Sequence, residues 1–322
     1  MSVTLKDISR ACGINVCSVS QVLSGHPRAG ELSVATRKRI LSTARDLGYC
    51  RNELARSVVT GKSNIVSVIV NNFAAFPPIL DGICAAALEH DLTIKFISLL
   101  RDRDLSRSLL SVRQYRSVGL LGVAFEKEQL SVLDEHFLPY RIPAVVANTG
   151  VLMPGVPVVS TDQAGATHLA LEHLYQLGHR KIACLGNIPP RCAAYEKFMR
   201  EVGLTPRIFP EQNPDVYPEL CKSEPDAVFC CSDPTGVRLL QWLYRQRIFV
   251  PGRFSVMGFG GLELSAACSP TLSTVQEPFF DIGYQMLKIL HDLIQGRSVP
   301  QHLQLPARLL QRESTAERLP AT

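Results

Sequence analysis

Val16, Cys17, Ser18, Ser20 and Gln21 fall on one side of a stretch whose other side carries Val19, Val22 and Leu23. The chemistry open to that outer side is contact with the edges of DNA bases. A glutamine amide can pair with adenine through two hydrogen bonds, whereas Val and Cys offer only apolar contact, for instance to a thymine methyl. The surrounding charge fits a polyanionic partner. Residues 1–62 hold ten cations and four anions, an excess of six in a chain whose formal charge is +5, so the remainder sums to −1. A basic head on a neutral body is an electrostatic footprint of nucleic-acid binding.

Three helices must hold that face. Thr4 caps the first, with Asp7 three residues on and Leu5, Ile8 and Cys12 along its apolar side. Gly13 supplies a tight turn, Asn15 caps a second helix over Val16 to Leu23, and a third runs from a Ser33 cap to Gly48. In the third, Ile40, Ala44 and Leu47 point inward, while Arg37, Lys38, Arg39 and Arg45 lie largely outside, available to phosphates.

From Asn64 the pattern changes to short apolar runs separated by helix-length segments. Ile65 to Val70, Thr93 to Leu99, Leu120 to Phe125, Ala144 to Ala147, Lys181 to Leu185, Ala227 to Cys231 and Phe254 to Gly258 read as buried strands. Helices are expected at Ile79 to His90, Ala164 to Leu177 and Gly236 to Arg245. This alternation makes the fold class α/β, with parallel sheets and ligands at the strand ends between lobes.

Other chemistries are set aside. No GxSxG, Walker loop or GxGxxG after the first strand is present, the eight His residues form no metal-spaced cluster, and the ten cysteines include no CxxC. No enzyme, no metal and no cofactor are therefore expected, and the cysteines read as buried reduced thiols. No apolar run reaches the length of a membrane span, and Met1 to Arg10 lacks the apolar core of a secretory signal, so the expected location is cytoplasmic.

The stretches TLKDISRACGINVCSVSQVLSG and SVATRKRILSTARDLGYCRNELARSVVTGKS resemble the DNA-binding head of the LacI/GalR (lactose and galactose repressor) family. VVSTDQAGATHLALEHLYQLGHRKIACLG, PDAVFCCSD, VPGRFSVMGFGG and SPTLSTVQEP continue the resemblance into that family's periplasmic-binding-protein-like core. The resemblance implies a three-helix helix-turn-helix head over residues 1–51, a hinge helix and linker over 52–62, and a two-lobed core over 63–322. Its N-lobe would take about 63–160 and 277–300, and its C-lobe about 161–276 and 301–322, with the chain crossing near Thr161, Gln276 and Pro300.

The same resemblance implies base reading by Val16, Cys17 and Gln21. It also implies phosphate contacts from Thr4, Asn15, Ser18, Ser20, His26, Ser33, Thr36 and Asn52. Ala55, Arg56, Val58 and Val59 would form a minor-groove hinge, with the wedge on Val58 where the family usually has Leu. Arg51 replaces the usual Pro before that hinge, and the loop from Gly25 to Leu32 is longer than usual. In the core, Arg191 falls on the arginine that contacts the effector in the family. Asp162 caps a helix or touches ligand, and Phe73, Phe76, Tyr217 and Ser232 are further candidates. Gly260 stands where an anchoring Asp is common, and Ser232 where Asn is common.

The expected protein is a sequence-specific DNA-binding transcription regulator, a repressor. It works as a homodimer on a palindromic operator, controlled by a small-molecule effector, a sugar or another metabolite, bound between the lobes. The alternative open at this stage is a DNA-binding regulator whose core only dimerises and binds no effector. Double-stranded operator DNA, a second copy of the chain and that effector are the expected partners, with no membrane involvement.

Overall fold

A computed structural model describes residues 3–50, 63–71, 77–99, 105–147, 152–213 and 215–318. The chain divides into two compact units, Met1–Ser63 and Asn64–Thr322. The expected hinge residues Asn52, Ala55, Arg56, Val58 and Val59, and the expected cleft residues Phe73 and Phe76, lie outside the described residues.

The first unit carries α1 (Leu5–Cys12), α2 (Val16–Leu23) and α3 (Val34–Asp46). Each begins at its expected cap. At α1, Thr4 and Asp7 form a capping box that satisfies two orphan amides reciprocally. Gly13 ends α1 at φ 66°, a left-handed conformation that side-chain-bearing residues resist. Across that turn the Ser9 hydroxyl donates to the Ile14 carbonyl at 2.6 Å. Ile8, Cys12, Val19, Ile40 and Ala44 form the small core of the head. One expectation fails: Leu47 is 40% exposed rather than inward. The helix stops at Asp46, so Leu47 leaves the helical period, and the backbone turns at Gly48 to bring Tyr49 onto the core instead, its amide donating to the Ala44 carbonyl at 2.8 Å. The longer loop contains a 3₁₀ turn, Pro27–Glu31.

The second unit has two six-stranded sheets. The N-lobe sheet has the order β11-β5-β4-β3-β1-β2, comprising β1 (Ile65–Val70), β2 (Thr93–Ser98), β3 (Gly119–Val123), β4 (Ala144–Ala147), β5 (Val158–Thr161) and β11 (His302–Leu305). The C-lobe sheet has the order β12-β10-β9-β8-β6-β7, comprising β6 (Ile182–Leu185), β7 (Ile208–Phe209), β8 (Ala227–Cys230), β9 (Ser255–Gly260), β10 (Ser273–Gln276) and β12 (Arg308–Leu310). All pairs are parallel except β10 with β12.

Packed on the sheets are α4 (Pro77–Glu89), α5 (Leu105–Gln114), α6 (Lys127–His136), α7 (Gln163–Gln176), α8 (Pro189–Glu201), α9 (Val216–Lys222), α10 (Asp233–Arg245), α11 (Glu263–Ala267) and α12 (Phe279–Ile294). Apolar clusters fill both sides of each sheet. That is why the central strands read as unbroken apolar runs.

The chain passes between lobes after Thr161, after Gln276 and at Pro306 between β11 and β12. The third passage corrects the expectation of a crossing near Pro300 and of a C-lobe segment starting at 301. His302 to Leu305 pair with Val158 to Thr161 and so belong to the N-lobe. The HLQL of β11, alternately exposed and half-buried, suits a sheet edge and carries little of the apolar signal that marks a central strand.

Two buried histidines anchor the C-terminal segment. His179 Nε2 lies 3.0 Å from Ser255 Oγ and 3.1 Å from the Ala316 carbonyl, and His173 Nε2 lies 3.2 Å from Thr315 Oγ1. Burial pushes both imidazoles below their ordinary range, for His179 against the opposing pull of Asp226. The unfolded chain therefore binds protons more readily. The stability involved is complete above the unfolded imidazole pKa, about 6.5, and is lost as pH falls through the depressed folded values. The melting temperature is expected to drop between about pH 7 and pH 5, and His179→Gln should flatten part of that slope. An identical slope in the variant would place the proton uptake elsewhere.

Candidate nucleic-acid interface and interlobe cleft

The outer side of α2 is presented as its sequence pattern requires. Val19 is fully buried, Val16 is 38% exposed and Cys17 is exposed, while Ser18, Ser20 and Gln21 are half-buried. Asn15 Oδ1 accepts from the Ser18 amide at 2.7 Å, which fixes the start of the helix and leaves the Asn15 NH2 as a donor.

Four of the residues expected to touch phosphate are themselves helix caps. Thr4, Asn15, His26 and Ser33 each precede a helical segment and accept one of its amides. Helix N-termini suit anions because their first amides are unpaired and the dipole is positive there. Thr4 is a poorer donor than expected, since its hydroxyl donates to Asp7 Oδ2 at 2.7 Å. Ser33 and Thr36 share one hydrogen bond at 2.8 Å, so one of the two hydroxyls retains a free proton. Lys6, Arg10, Lys38, Arg39 and Arg45 are exposed and Arg37 is half-buried.

In the core, a cavity of about 610 Å³ lies where the lobes meet. Pro77, Pro78, Phe279 and Phe280 line it from N-lobe helices, and Gly261, Leu262, Gln276 and Arg308 from the C-lobe. Beside the crossings sits Arg191, with its side chain 10% exposed. Its Nε donates to Gln163 Oε1 at 2.7 Å, Nη1 to the Cys231 carbonyl at 2.6 Å and Nη2 to Glu277 Oε2 at 3.0 Å. Gln163 Nε2 donates to Glu277 Oε1 at 2.9 Å, closing a triangle, and the guanidinium lies 3.7 Å over the Phe259 ring. Gln163 directly follows the first crossing and Glu277 the second, so this arginine ties both passages to the C-lobe.

The other candidates do not join that triangle. Asp162 caps α7 by accepting from the Gly165 amide at 2.9 Å. Ser232 caps α10. Tyr217 packs on Trp242 with ring centroids 5.5 Å apart, on the cluster between α9, α10 and the C-lobe sheet, so it lines no part of the cavity described above. At Gly260, φ is +135°, a backbone conformation that favours glycine over the family's Asp.

The sequence reading missed Glu277 and Gln163, which have no motif of their own. It also missed Asp233, fully buried, which accepts from Thr274 Oγ1 at 2.5 Å and from the Leu262 amide at 2.7 Å. Burial raises the Asp233 carboxyl above its ordinary value despite those bonds. Its position at the head of α10, facing two small residues, Gly258 and Gly260, is the only trace it leaves in the sequence.

Comparisons place this architecture. The family model described as periplasmic binding proteins and sugar binding domain of LacI family matches residues 67–202, and a periplasmic binding protein-like domain matches residues 171–315. The chain is similar to the HTH-type transcriptional repressor CytR of Escherichia coli (strain K12), 27% identical over 317 residues that cover 92% of this chain and 91% of the relative. It is also similar to catabolite control protein A of Priestia megaterium, 25% identical over 338 residues, 98% of this chain and 100% of the relative. Among solved structures, the lac repressor dimer bound to operator and the anti-inducer ONPF superposes with a TM-score of 0.83 at 21% identity, covering 98% of this chain and 100% of that one. A complex of the transcriptional regulator CelR with cellobiose superposes at 0.70 with 23% identity, covering 97% and 100%. Among the described residues no helix is long and apolar enough to cross a membrane.

Proposed function

Because the chain belongs to the LacI family of transcription regulators, we propose that it is a sequence-specific repressor. On this reading it binds a palindromic operator as a homodimer, and a small molecule held between the lobes sets its DNA affinity. It is no enzyme, and it works in the cytoplasm. The observation that carries the reading is the outer side of α2, exposed at Val16 and Cys17 on a buried three-helix core with cations around it. Such a helix seats in the major groove, and the caps and cations hold it there through phosphates.

Val16 and Cys17 offer no hydrogen bonds to base pairs, so Gln21 carries most of the polar readout. Gln21→Ala is expected to relax one base position per half-site by about 1–3 kcal/mol in a selection from randomised duplexes, other positions being unchanged. Equal weakening on every sequence would mean that α2 is docked differently.

Support for the homodimer comes from the N-lobe surface. Leu88 is 85% exposed with Cys84 one turn before it on α4, and Phe96 is exposed on the edge strand β2. Apolar side chains left exposed on a helix and on an edge strand of one lobe favour a partner of the same kind. Leu88→Arg is expected to shift sedimentation toward monomer and to weaken operator binding in parallel; a variant that stays dimeric would remove this face from the interface.

One observation favours a second reading, in which the core dimerises and binds no effector. The three nitrogens of Arg191 are engaged within the protein, Asp162 and Ser232 act as caps, and Gly260 offers no side chain. Thermal-shift screening with sugars, nucleosides and organic acids separates the two. A raised melting temperature together with changed operator affinity selects the sensor, and no response to any of them selects the dimeriser.

A further inference from the structure

Three cysteines that stand far apart in sequence converge in the C-lobe. Cys184 lies in β6 and Cys231 directly follows β8, its parallel neighbour, where Leu185 pairs with Cys230. Cys192 lies in the first turn of α8, which follows β6 after a short loop. The Sγ atoms of Cys184 and Cys231 are 3.5 Å apart, those of Cys192 and Cys231 are 3.8 Å apart, and all three lie within 4.8 Å of one another. The expectation of buried reduced thiols holds only in part, since Cys17, Cys50 and Cys84 are exposed, and the absence of CxxC spacing does not keep these three sulfurs apart. Crossover connections of a parallel sheet bring together residues that no local motif can announce.

The cluster is built rather than incidental. Cys184 and Cys231 are buried and Cys192 is half-buried, leaving one side open to solvent. A Cβ on Gly186 would stand 2.6 Å from Cys231 Cβ, so the loop between β6 and α8 can lie against this thiol only because it carries glycine there. Sulfurs ligating one ion at about 2.3 Å sit roughly 3.8–4.0 Å from each other in tetrahedral or trigonal geometry. The observed spacing is close to that.

We propose that Cys184, Cys192 and Cys231 form a binding site for one soft, thiophilic monovalent metal ion of the copper(I) class, held by three sulfurs. Thiolates select soft ions, and among the described residues no fourth His, Cys, Asp or Glu joins the cluster to complete a tetrahedral zinc site. Binding breaks the S–H bonds of the ligating thiols, releases their protons to solvent and forms S–metal bonds, with no change in oxidation state. Cys192 is the entry ligand. Its side chain is half-buried where those of Cys184 and Cys231 are buried, so an arriving ion meets it first. The site is independent of how the interlobe cleft is read, although the Cys231 carbonyl is the group that Arg191 Nη1 holds at 2.6 Å.

The test is an anaerobic titration of the reduced full-length chain with copper(I) in competition with bicinchoninate. One equivalent per chain is expected, with sulfur-to-copper charge-transfer absorption in the near ultraviolet and three sulfur neighbours by X-ray absorption. Cys192→Ser, at the half-buried position where folding is least at risk, should weaken this binding by about a hundredfold or more, since even outer-shell changes cost about 10- to 100-fold. Cys50→Ser, exposed beyond the end of α3, should leave it unchanged. Equal binding by wild type and Cys192→Ser would overturn the site, as would displacement of copper(I) by equimolar zinc(II), or titration of the cluster as a disulfide that lacks two free thiols under reducing conditions. None of these outcomes touches the operator-binding reading, which is assayed on DNA.

Discussion

Raising monovalent salt from about 50 to 200 mM is expected to weaken operator binding by about a thousandfold to a hundred-thousandfold, the loss that follows from six to ten neutralised phosphates. The basis is the distribution of charge. Lys6, Arg10, Arg28, Arg37, Lys38, Arg39 and Arg45 all stand within the described part of the head, against Asp7, Glu31 and Asp46, and a dimer presents two such heads. Each cation that meets a phosphate releases condensed counterions, and the entropy of that release shrinks as bulk salt rises. Binding to random duplex should fall on a similar slope, because phosphates carry no sequence information, while the preference for operator survives through Gln21 and the apolar contacts of Val16 and Cys17. Measured by fluorescence anisotropy across a salt series, a slope near zero would show that the head cations face solvent rather than DNA, and would remove the interface assigned to α2.

How far the sequence reaches depends on whether a feature is local. The caps at Thr4, Asn15 and Ser33 and the turn at Gly13 are set by residues within four positions of each other, and the helices begin where those residues require. Central strands such as Ile65–Val70 and Ala144–Ala147 carry the apolar runs that burial on both faces demands, and their observed bounds match their expected ones. The edge strands β11 and β12 do not. Both are short and partly exposed, β11 with polar residues in alternation, and the third crossing falls between them rather than near Pro300, whereas the edge strand β2 is legible at its expected start, Thr93.

The cleft was legible only in outline. Arg191 could be found by position, but its partners Gln163 and Glu277 are brought to it from 28 and 86 residues away by the crossings. Tyr217 was a reasonable wall on composition alone. Its neighbour Trp242, on a different helix, decides otherwise. The cysteines make the same point, since their proximity is a property of strand order and loop length rather than of spacing.

Glu277→Ala is expected to destabilise the core by about 3–5 kcal/mol, because it leaves the Arg191 guanidinium buried beside the crossings without its counter-ion. The side chains of the pair are 10% and 5% exposed, so water can replace little of what the carboxylate supplies. Replacing both partners together, as Arg191→Met with Glu277→Leu, should cost far less, since the desolvation of two charges disappears along with their attraction. Urea denaturation midpoints of the wild type, both single variants and the double variant close a thermodynamic cycle, provided the m-values stay alike. A Glu277→Ala chain within about 1 kcal/mol of wild type would show that the guanidinium finds water or another partner, and the clasp would not exist. The result also bears on what the cleft can hold. An anionic ligand for Arg191 must compete with a carboxylate already placed at 3.0 Å, and the Gln163 amide bridges the two. A neutral, hydroxyl-bearing molecule escapes that competition, because it can bond to the outer lone pairs and remaining N–H groups of an intact Arg191–Glu277 pair. If the pair proves as strongly coupled as its burial implies, neutral ligands should therefore raise the melting temperature where carboxylates and phosphates of similar size do not.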